Sequence, residues 1–306
     1  MGGEQNEKKV KGYLKIAIRV FLGAVFIVSA ISKMLTINSF EIFIFSFGIF
    51  SLNLSFILAR LVISTEIFLG FMLITGWKQK ITISLSLLLL AVFTVFLIYL
   101  IQSSKADHCH CFGDIIKMSN PASIIKNICF AFLLWLSTPS REINLKRRSL
   151  YIYILLFLSL GIPLSITPPA FFVSNWYAKR INYDEQLFND LMAKNPELAS
   201  GKKVVSFLGT NCKYCVMAAQ KLSVIANKNG KTEQFVYLFY GTENEVENFF
   251  NEAGTPDIKG TVLDPDTFLK ITNGRMPLIL LVDNGVIADK FSFAIIDDKT
   301  IASFLM

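Results

Sequence analysis

Val204-Val205-Ser206-Phe207-Leu208-Gly209-Thr210-Asn211-Cys212-Lys213-Tyr214-Cys215 is the stretch that decides the fold of the C-terminal part of this chain. Its first five residues are a short, mostly apolar run of the kind a buried strand uses, and Gly209-Thr210-Asn211 is a turn. From Cys215 to Asn227 the spacing is helical, with Met217, Leu222 and Ile225 on the apolar side. The two cysteines therefore open a helix directly after a strand. A thiol at a helix N-terminus feels the positive end of the helix dipole, which lowers its pKa, and Lys213 adds a neighbouring positive charge. A second thiol one turn further in resolves the mixed disulfide formed at the first. Cys212 is expected to be the attacking thiolate and Cys215 the resolving thiol.

The elements around that stretch are short and varied. Asp184–Leu198 has helical spacing through Leu187, Leu191 and Leu198; Gln234–Tyr240 is a strand, Glu243–Ala253 a helix, Thr255–Gly260 turn-rich, and Pro265–Ile271 a short helix. Leu278–Val282 and Val286–Phe293 flank Asn284-Gly285, a strong hairpin signal because both residues tolerate positive φ. Asp297–Leu305 closes the chain as a helix. This order, with a Cys-x-x-Cys pair opening its first βα unit, resembles the thioredoxin fold over residues 184–306. The resemblance implies a cis peptide before Pro277 in Arg275-Met276-Pro277, set against the cysteines. Two positions depart from the family: Asn211 stands where a tryptophan is common, and Ser206 where many members bury an acid. A structural disulfide or half of a zinc site are the competing readings of Cys212 and Cys215. The domain offers no second Cys or His pair to complete a zinc tetrahedron.

Upstream the composition changes. Of 306 residues 53% are hydrophobic and 28 are phenylalanine, and the long apolar runs fall between residue 13 and about residue 168. Runs of roughly 20 apolar residues suit a bilayer. Five candidate spans follow: Leu14–Met34, Phe56–Gly76, Ile81–Ile101, Ile124–Leu136 with its flanks, and Leu150–Ile166. Phe40–Leu54 is interrupted by Gly48, Asn53 and several serines, and reads as a loop or re-entrant element. The expected fold class is a membrane α-helical bundle, a four-helix core plus a fifth span, followed by an α/β thioredoxin-like domain. The expected boundaries are 1–137, 138–183 (fifth span and linker) and 184–306.

Lys and Arg collect in cytoplasmic loops. Lys8, Lys9, Lys11, Lys15 and Arg19 place the N-terminus inside; Lys78 and Lys80, then Arg141, Lys146, Arg147 and Arg148, mark the later inner turns. Five spans then put the C-terminal domain outside, in a multi-pass protein of the cytoplasmic (inner) membrane. The first apolar run is too long for a signal peptide and no small-residue cleavage pattern precedes Lys33, so no cleaved leader is expected. The net charge of +7 comes mostly from these topogenic residues. No motif supports binding to nucleic acid.

A second cysteine pair lies between the third and fourth spans, in His108-Cys109-His110-Cys111-Phe112-Gly113-Asp114. The Cys-x-Cys-Phe-Gly core resembles the MauE family of methylamine-utilisation membrane proteins, within the wider DoxX-like group. Arg19, Gly23, Phe26, Ser29 and Lys33 in the first span, and Glu66, Gly70 and Gly76 in the second, are similar to that group over residues 12–137. In that family a separate thioredoxin-like partner works with MauE to form disulfides in methylamine dehydrogenase. The resemblance therefore implies that both activities are fused in this chain. Two cysteines one residue apart close only a small, strained ring, which suits exchange better than a permanent staple. His108 and His110 would stabilise a neighbouring thiolate, or, in a competing reading, join the cysteines as metal ligands. Successive residues of an extended strand point to opposite faces, which works against one peptide supplying all four. Glu66 is expensive inside a bilayer and is expected to pair with Arg60 or Lys33. Cys129 reads as a small core residue.

These features lead to an expected membrane-bound thiol–disulfide oxidoreductase. Cys212 and Cys215 exchange disulfides with extracytoplasmic client proteins, and Cys109 and Cys111 reset them. The segment from Pro168 to Asp184 reaches on the order of 50 Å when extended. No cysteine lies near the inner face, which favours an oxidising relay that ends in a membrane quinone, by analogy with other four-helix thiol oxidases. A relay running in the reducing direction, a metal-handling membrane protein and a non-catalytic assembly factor are the alternatives.

Overall fold

The computed structural model describes residues 2–103, 108–114, 116–138, 149–167, 181–255 and 258–306. The chain forms two compact units, Met1–Phe40 with Leu58–Thr167, and Glu41–Ile57 with Pro168–Met306.

The first unit is helical. Its elements are α1 (Gly2–Leu35), the inner part of α3 (Leu52–Thr75), α4 (Gln79–Ser103), α5 (Asn120–Leu136) and α6 (Ser149–Ile166). Between α4 and α5 stands a small antiparallel hairpin, β1 (His108–Asp114) and β2 (Ile116–Ser119). Val10–Leu35, Leu52–Thr75 and Gln79–Gln102 are long and apolar enough to cross a bilayer. The apolar helices in α5 and α6 are shorter and correspond to the fourth and fifth runs read from the sequence. Their outward side chains are large and apolar, with Tyr153 70%, Phe157 76% and Trp135 65% exposed. Such a surface is costly in water and natural in hydrocarbon.

Two glycines set the crossing of α1 and α3. A Cβ on Gly23 would stand 2.7 Å from the Gly70 carbonyl oxygen, and one on Gly70 would stand 2.9 Å from that of Gly23. The two backbones thus meet directly, as small residues allow in membrane bundles. Leu22, Phe26, Leu69, Leu73, Ile83 and Leu90 close the core around this contact.

The second unit is built on the sheet β5-β4-β3-β6-β7, comprising β3 (Lys202–Gly209), β4 (Phe235–Tyr240), β5 (Lys259–Val262), β6 (Leu278–Asp283) and β7 (Val286–Phe291). β3 runs parallel to β4 and antiparallel to β6, which is the order implied by the thioredoxin resemblance. Period-2 alternation along β3 divides the core. Val204 and Leu208 pack with α9 (Lys213–Asn229), α10 (Glu243–Ala253) and α12 (Asp298–Leu305). Val205 and Phe207 pack on the opposite face with α7 (Glu185–Lys194) and α11 (Pro265–Thr272). A short helix, α8 (Pro196–Ala199), follows α7. Asn284 and Gly285, at φ 47° and 83°, turn β6 into β7 as their sequence requires.

Several elements differ from the sequence reading. β5 lies within or next to a stretch read as turns. It is an exposed edge strand without alternating burial, so it leaves no hydrophobic pattern to detect. Ile37–Phe45, overlapping the stretch read as a loop or re-entrant element, is a short helix, α2, and α3 begins at Leu52, before the interruptions end. Phe45, Leu52 and Phe56 share the core of the second unit, so this apolar segment buries its side chains against protein.

Candidate functional site

Cys212 is the N-cap of α9, with φ −114° and ψ 108°. It is half-buried, whereas Cys215, the third residue of that helix, is fully buried. The two are joined as a disulfide, with Cα atoms 5.1 Å apart. The Cys215 amide donates to the Cys212 sulfur at 3.2 Å, and the Gly209 amide donates to the Cys215 sulfur at 3.3 Å. Each sulfur therefore has a backbone donor directed at it, a setting that favours negative charge on sulfur. Their exposure is unequal: an incoming group can reach Cys212 but not Cys215.

The peptide between Met276 and Pro277 is cis. In the β3–β6 pairing Phe207 lies opposite Leu278, which sets Pro277 beside the end of β3. A Cβ on Gly209 would lie 3.3 Å from the Cys212 Cβ and 2.5 Å from the Met276 sulfur. Glycine at this position keeps strand, cysteine and Met276 in contact. Ser206, where thioredoxins often bury an acid, is fully buried and its hydroxyl has no hydrogen-bond partner.

Three groups to which the sequence reading gave no role surround this site. The Glu245 carboxylate accepts from the Thr242 amide at 2.9 Å, from the Thr210 hydroxyl at 3.0 Å and from the Asn211 side-chain amide at 3.0 Å. It ties both residues that precede Cys212 to the start of α10. The Thr242 backbone bond, followed by those from Asn211 and Thr210, holds the Glu245 pKa below the usual carboxylate range. Thr242-x-x-Glu245 is a capping-box spacing, so the signal was present in the sequence. Lys221, two turns along α9, is buried with its ammonium 4.0 Å above the Phe293 ring. Tyr214 stands beside that same ring, 5.3 Å between centroids, and is 54% exposed next to Cys212. Burial lowers the Lys221 pKa from 10.5 to about 8, while Glu41 acts in the opposite direction. No sequence signal marks Lys221, because its burial depends on tertiary packing.

The backbone of Cys109 and Cys111 lies in β1, with Cys109 paired to Met118. β1 packs against α1 and α5. The side chains of His108, Cys109, His110 and Cys111 lie outside the described residues.

Residues 11–139 match the family model described as methylamine utilisation protein MauE. The N-terminal part of this chain is therefore similar to MauE. Among curated proteins, Protein TlpB of Flavobacterium psychrophilum is 26% identical over an alignment covering 81% of this chain and 82% of that relative. No solved structure matches the chain significantly. The chain thus has a multi-pass membrane part similar to MauE over residues 11–139, followed by a C-terminal α/β domain.

Inside the MauE-like domain, Glu66 pairs with Lys33. The Lys33 ammonium donates to both Glu66 oxygens, at 2.7 and 2.9 Å, and to the Ser29 hydroxyl at 2.6 Å. Ser29 in turn donates to Glu66 at 3.2 Å. Arg60 instead donates to the Thr167 carbonyl at 2.7 Å. Cys129, expected in the core, is exposed on α5. It shares an outward apolar face with Ile125, Ile128 and Phe132, so hydropathy alone placed it inside.

Proposed function

We propose that this chain is a membrane thiol–disulfide oxidoreductase that oxidises client proteins outside the cytoplasmic membrane. The observation that carries the proposal is the unequal cysteine pair at the start of α9. Cys212 is reachable, Cys215 is buried, and backbone amides address both sulfurs. In the oxidising direction a client thiolate attacks Cys212 and Cys215 leaves as thiolate. The second client thiol then attacks its partner in the mixed disulfide and releases Cys212. The client gains a disulfide, and the pair has taken up two electrons and two protons.

Cys212 then attacks the Cys109–Cys111 disulfide, and Cys215 resolves that intramolecular bridge, returning the pair to its oxidised form. The electrons now reside on the β1 cysteines. Topogenic lysines and arginines support an inner N-terminus and a C-terminal domain on the outer face, together with the β1–β2 hairpin. A membrane quinone is the terminal acceptor in this scheme.

Replacing Cys215 with Ser tests the relay. Cys212 still attacks the β1 disulfide, but Cys215 is no longer there to carry the exchange forward, and the displaced β1 thiolate can only reverse it. Mass spectrometry of digested full-length protein should then find a peptide joining Cys212 to Cys109 or Cys111. Loss of that species with Cys212→Ser confirms its identity. Its absence from Cys215→Ser protein whose β1 pair is oxidised would contradict an intramolecular relay.

A further inference from the structure

The second unit contains a piece of chain from far upstream. Glu41–Ile57 lies in sequence between α1 and the body of α3, yet it packs as part of the unit that carries Cys212. Phe45 and Leu52 are fully buried in the core around α9, and Phe56 is 2% exposed. This strap is in contact with α9 along one stripe of the helix. Tyr214, Lys221 and Lys228 recur every seven residues, so they share a face and stand roughly 10 Å apart along the axis. At the far end the Lys228 ammonium donates to the Phe50 carbonyl at 3.4 Å. In the middle the Lys221 ammonium lies 5.3 Å from the Phe56 ring centroid. At the near end Tyr214 stands exposed, two residues after Cys212.

Lys221 joins the strap to the thiol site. Its ammonium sits 4.0 Å from the Phe293 ring centroid and donates to the Phe293 carbonyl at 3.4 Å. Phe293 opens the turn Phe293–Ile295 after β7 and carries the Tyr214 ring against it, tilted by 50°. The contacts thus run Phe56, Lys221, Phe293, Tyr214. A buried ammonium must be compensated for the water it has lost. Here a ring on each side and one carbonyl compensate it, and Glu41 of the strap favours its charged form. With the strap displaced, water reaches the ammonium and the hold on Phe293 weakens.

We propose that Glu41–Ile57 is a strap that, through Lys221, fixes the Phe293–Tyr214 pair beside Cys212 and so makes exchange favour clients with an aromatic side chain next to the reacting cysteine. The proposal rests on the thiol–disulfide exchange reading above. Lys221 is a positioning residue that acts through Phe293. Tyr214 is the ring a client side chain would meet, because it is exposed, held from behind and next to the reachable sulfur. Aromatic pairs gain from such edge and offset contacts beyond the area they bury.

The test reads a selectivity ratio, which general damage to the domain does not shift. Full-length protein carrying Cys109→Ser and Cys111→Ser, oxidised at Cys212–Cys215, is mixed with an acetylated, amidated Phe-Cys-Ala peptide or its Ser-Cys-Ala counterpart. Each turnover joins two peptide thiols as a disulfide and reduces the Cys212–Cys215 bond to two thiols. Acid quenching and alkylation of that pair give the rate. The protein should favour the Phe peptide by about fivefold or more. Lys221→Met and Phe56→Leu, which keep apolar volume, should each bring the ratio to within about twofold of unity. Lys221→Arg should retain the preference. Lys221→Met combined with Tyr214→Ser should lose no more than either alone, because both act on one contact. Elution and thermal midpoint check folding, and where Lys221→Met fails that check Phe56→Leu carries the comparison. A preference unchanged in the folded variants overturns the proposal, as does a ratio near unity before any of them is made. Protein that oxidises neither peptide removes the exchange reading, and this proposal with it.

Discussion

The buried Lys33–Glu66 pair offers a quantitative test of how the MauE-like domain is held together. The side chains are 1% and 7% exposed and their closest contact is 2.7 Å. At an effective dielectric constant near 20, such a pair attracts by about 6 kcal/mol, most of which offsets the cost of taking two charges out of water. Glu66→Gln keeps the shape and an acceptor for Ser29 but leaves Lys33 without its counter-charge. Removing one partner of a buried pair costs about 3–5 kcal/mol, whereas replacing both with apolar residues is often nearly neutral. On the scale of roughly 2–4 °C per kcal/mol for a unit of this size, Glu66→Gln should lower the thermal midpoint by roughly 6–20 °C. The assay is fluorescence-detected size exclusion after heating full-length protein in mild detergent, for wild type, Glu66→Gln, Lys33→Met and Lys33→Met/Glu66→Leu. The double variant should recover most of the loss. A Glu66→Gln midpoint equal to wild type, or a double variant worse than both singles, refutes a buried ion pair.

The other predictions concern separate contacts. Lys221 has a lower pKa folded, about 8, than its ordinary 10.5. The unfolded chain therefore binds more protons between these values, so stability should rise with pH across that window, by about 3 kcal/mol in full. Chemical denaturation should show the rise in wild type and a flat profile in Lys221→Met; equal slopes would contradict the burial. Glu245→Ala should speed amide hydrogen exchange at Thr210–Tyr214, since it removes the acceptor of three hydrogen bonds. Because the folded pKa of Glu245 is depressed, its contribution holds above the ordinary carboxylate range and is lost as pH falls through the lowered value; exchange unchanged by the substitution sinks this role. Gly70→Leu should force α1 and α3 apart and lower the thermal midpoint, with a cost of about 1–3 kcal/mol. An unaltered midpoint means the helices do not meet at Gly23.

The cysteine pair, its strand and its helix were legible because each rests on local pattern: an apolar run, a turn and a 3.6-residue period. Asn284-Gly285 was legible for the same reason, its positive φ values being a property of those two residues. β5 was not, since an exposed edge strand needs no hydrophobic alternation. α2 was legible only as a loop or re-entrant element, because the packing of Phe45 depends on residues more than a hundred positions away in sequence. Charge balance inside a bilayer limited the partners of Glu66 to Lys33 or Arg60, but only packing could choose between them. The functional support around Cys212 divides in the same way. Glu245 had a readable capping spacing, while Lys221 and the contact between Gly209 and Met276 arise only when α9, β3 and β6 come together.

The central claim is that Cys109 and Cys111 reset Cys212 and Cys215. Its most direct measurement is the in-cell redox state of the Cys212–Cys215 pair, trapped by acid quenching and alkylation, in wild type and in the Cys109→Ser/Cys111→Ser variant. The account predicts a mostly oxidised pair in wild type and accumulation of its reduced form in the variant. An unchanged, oxidised pair in the variant would contradict it.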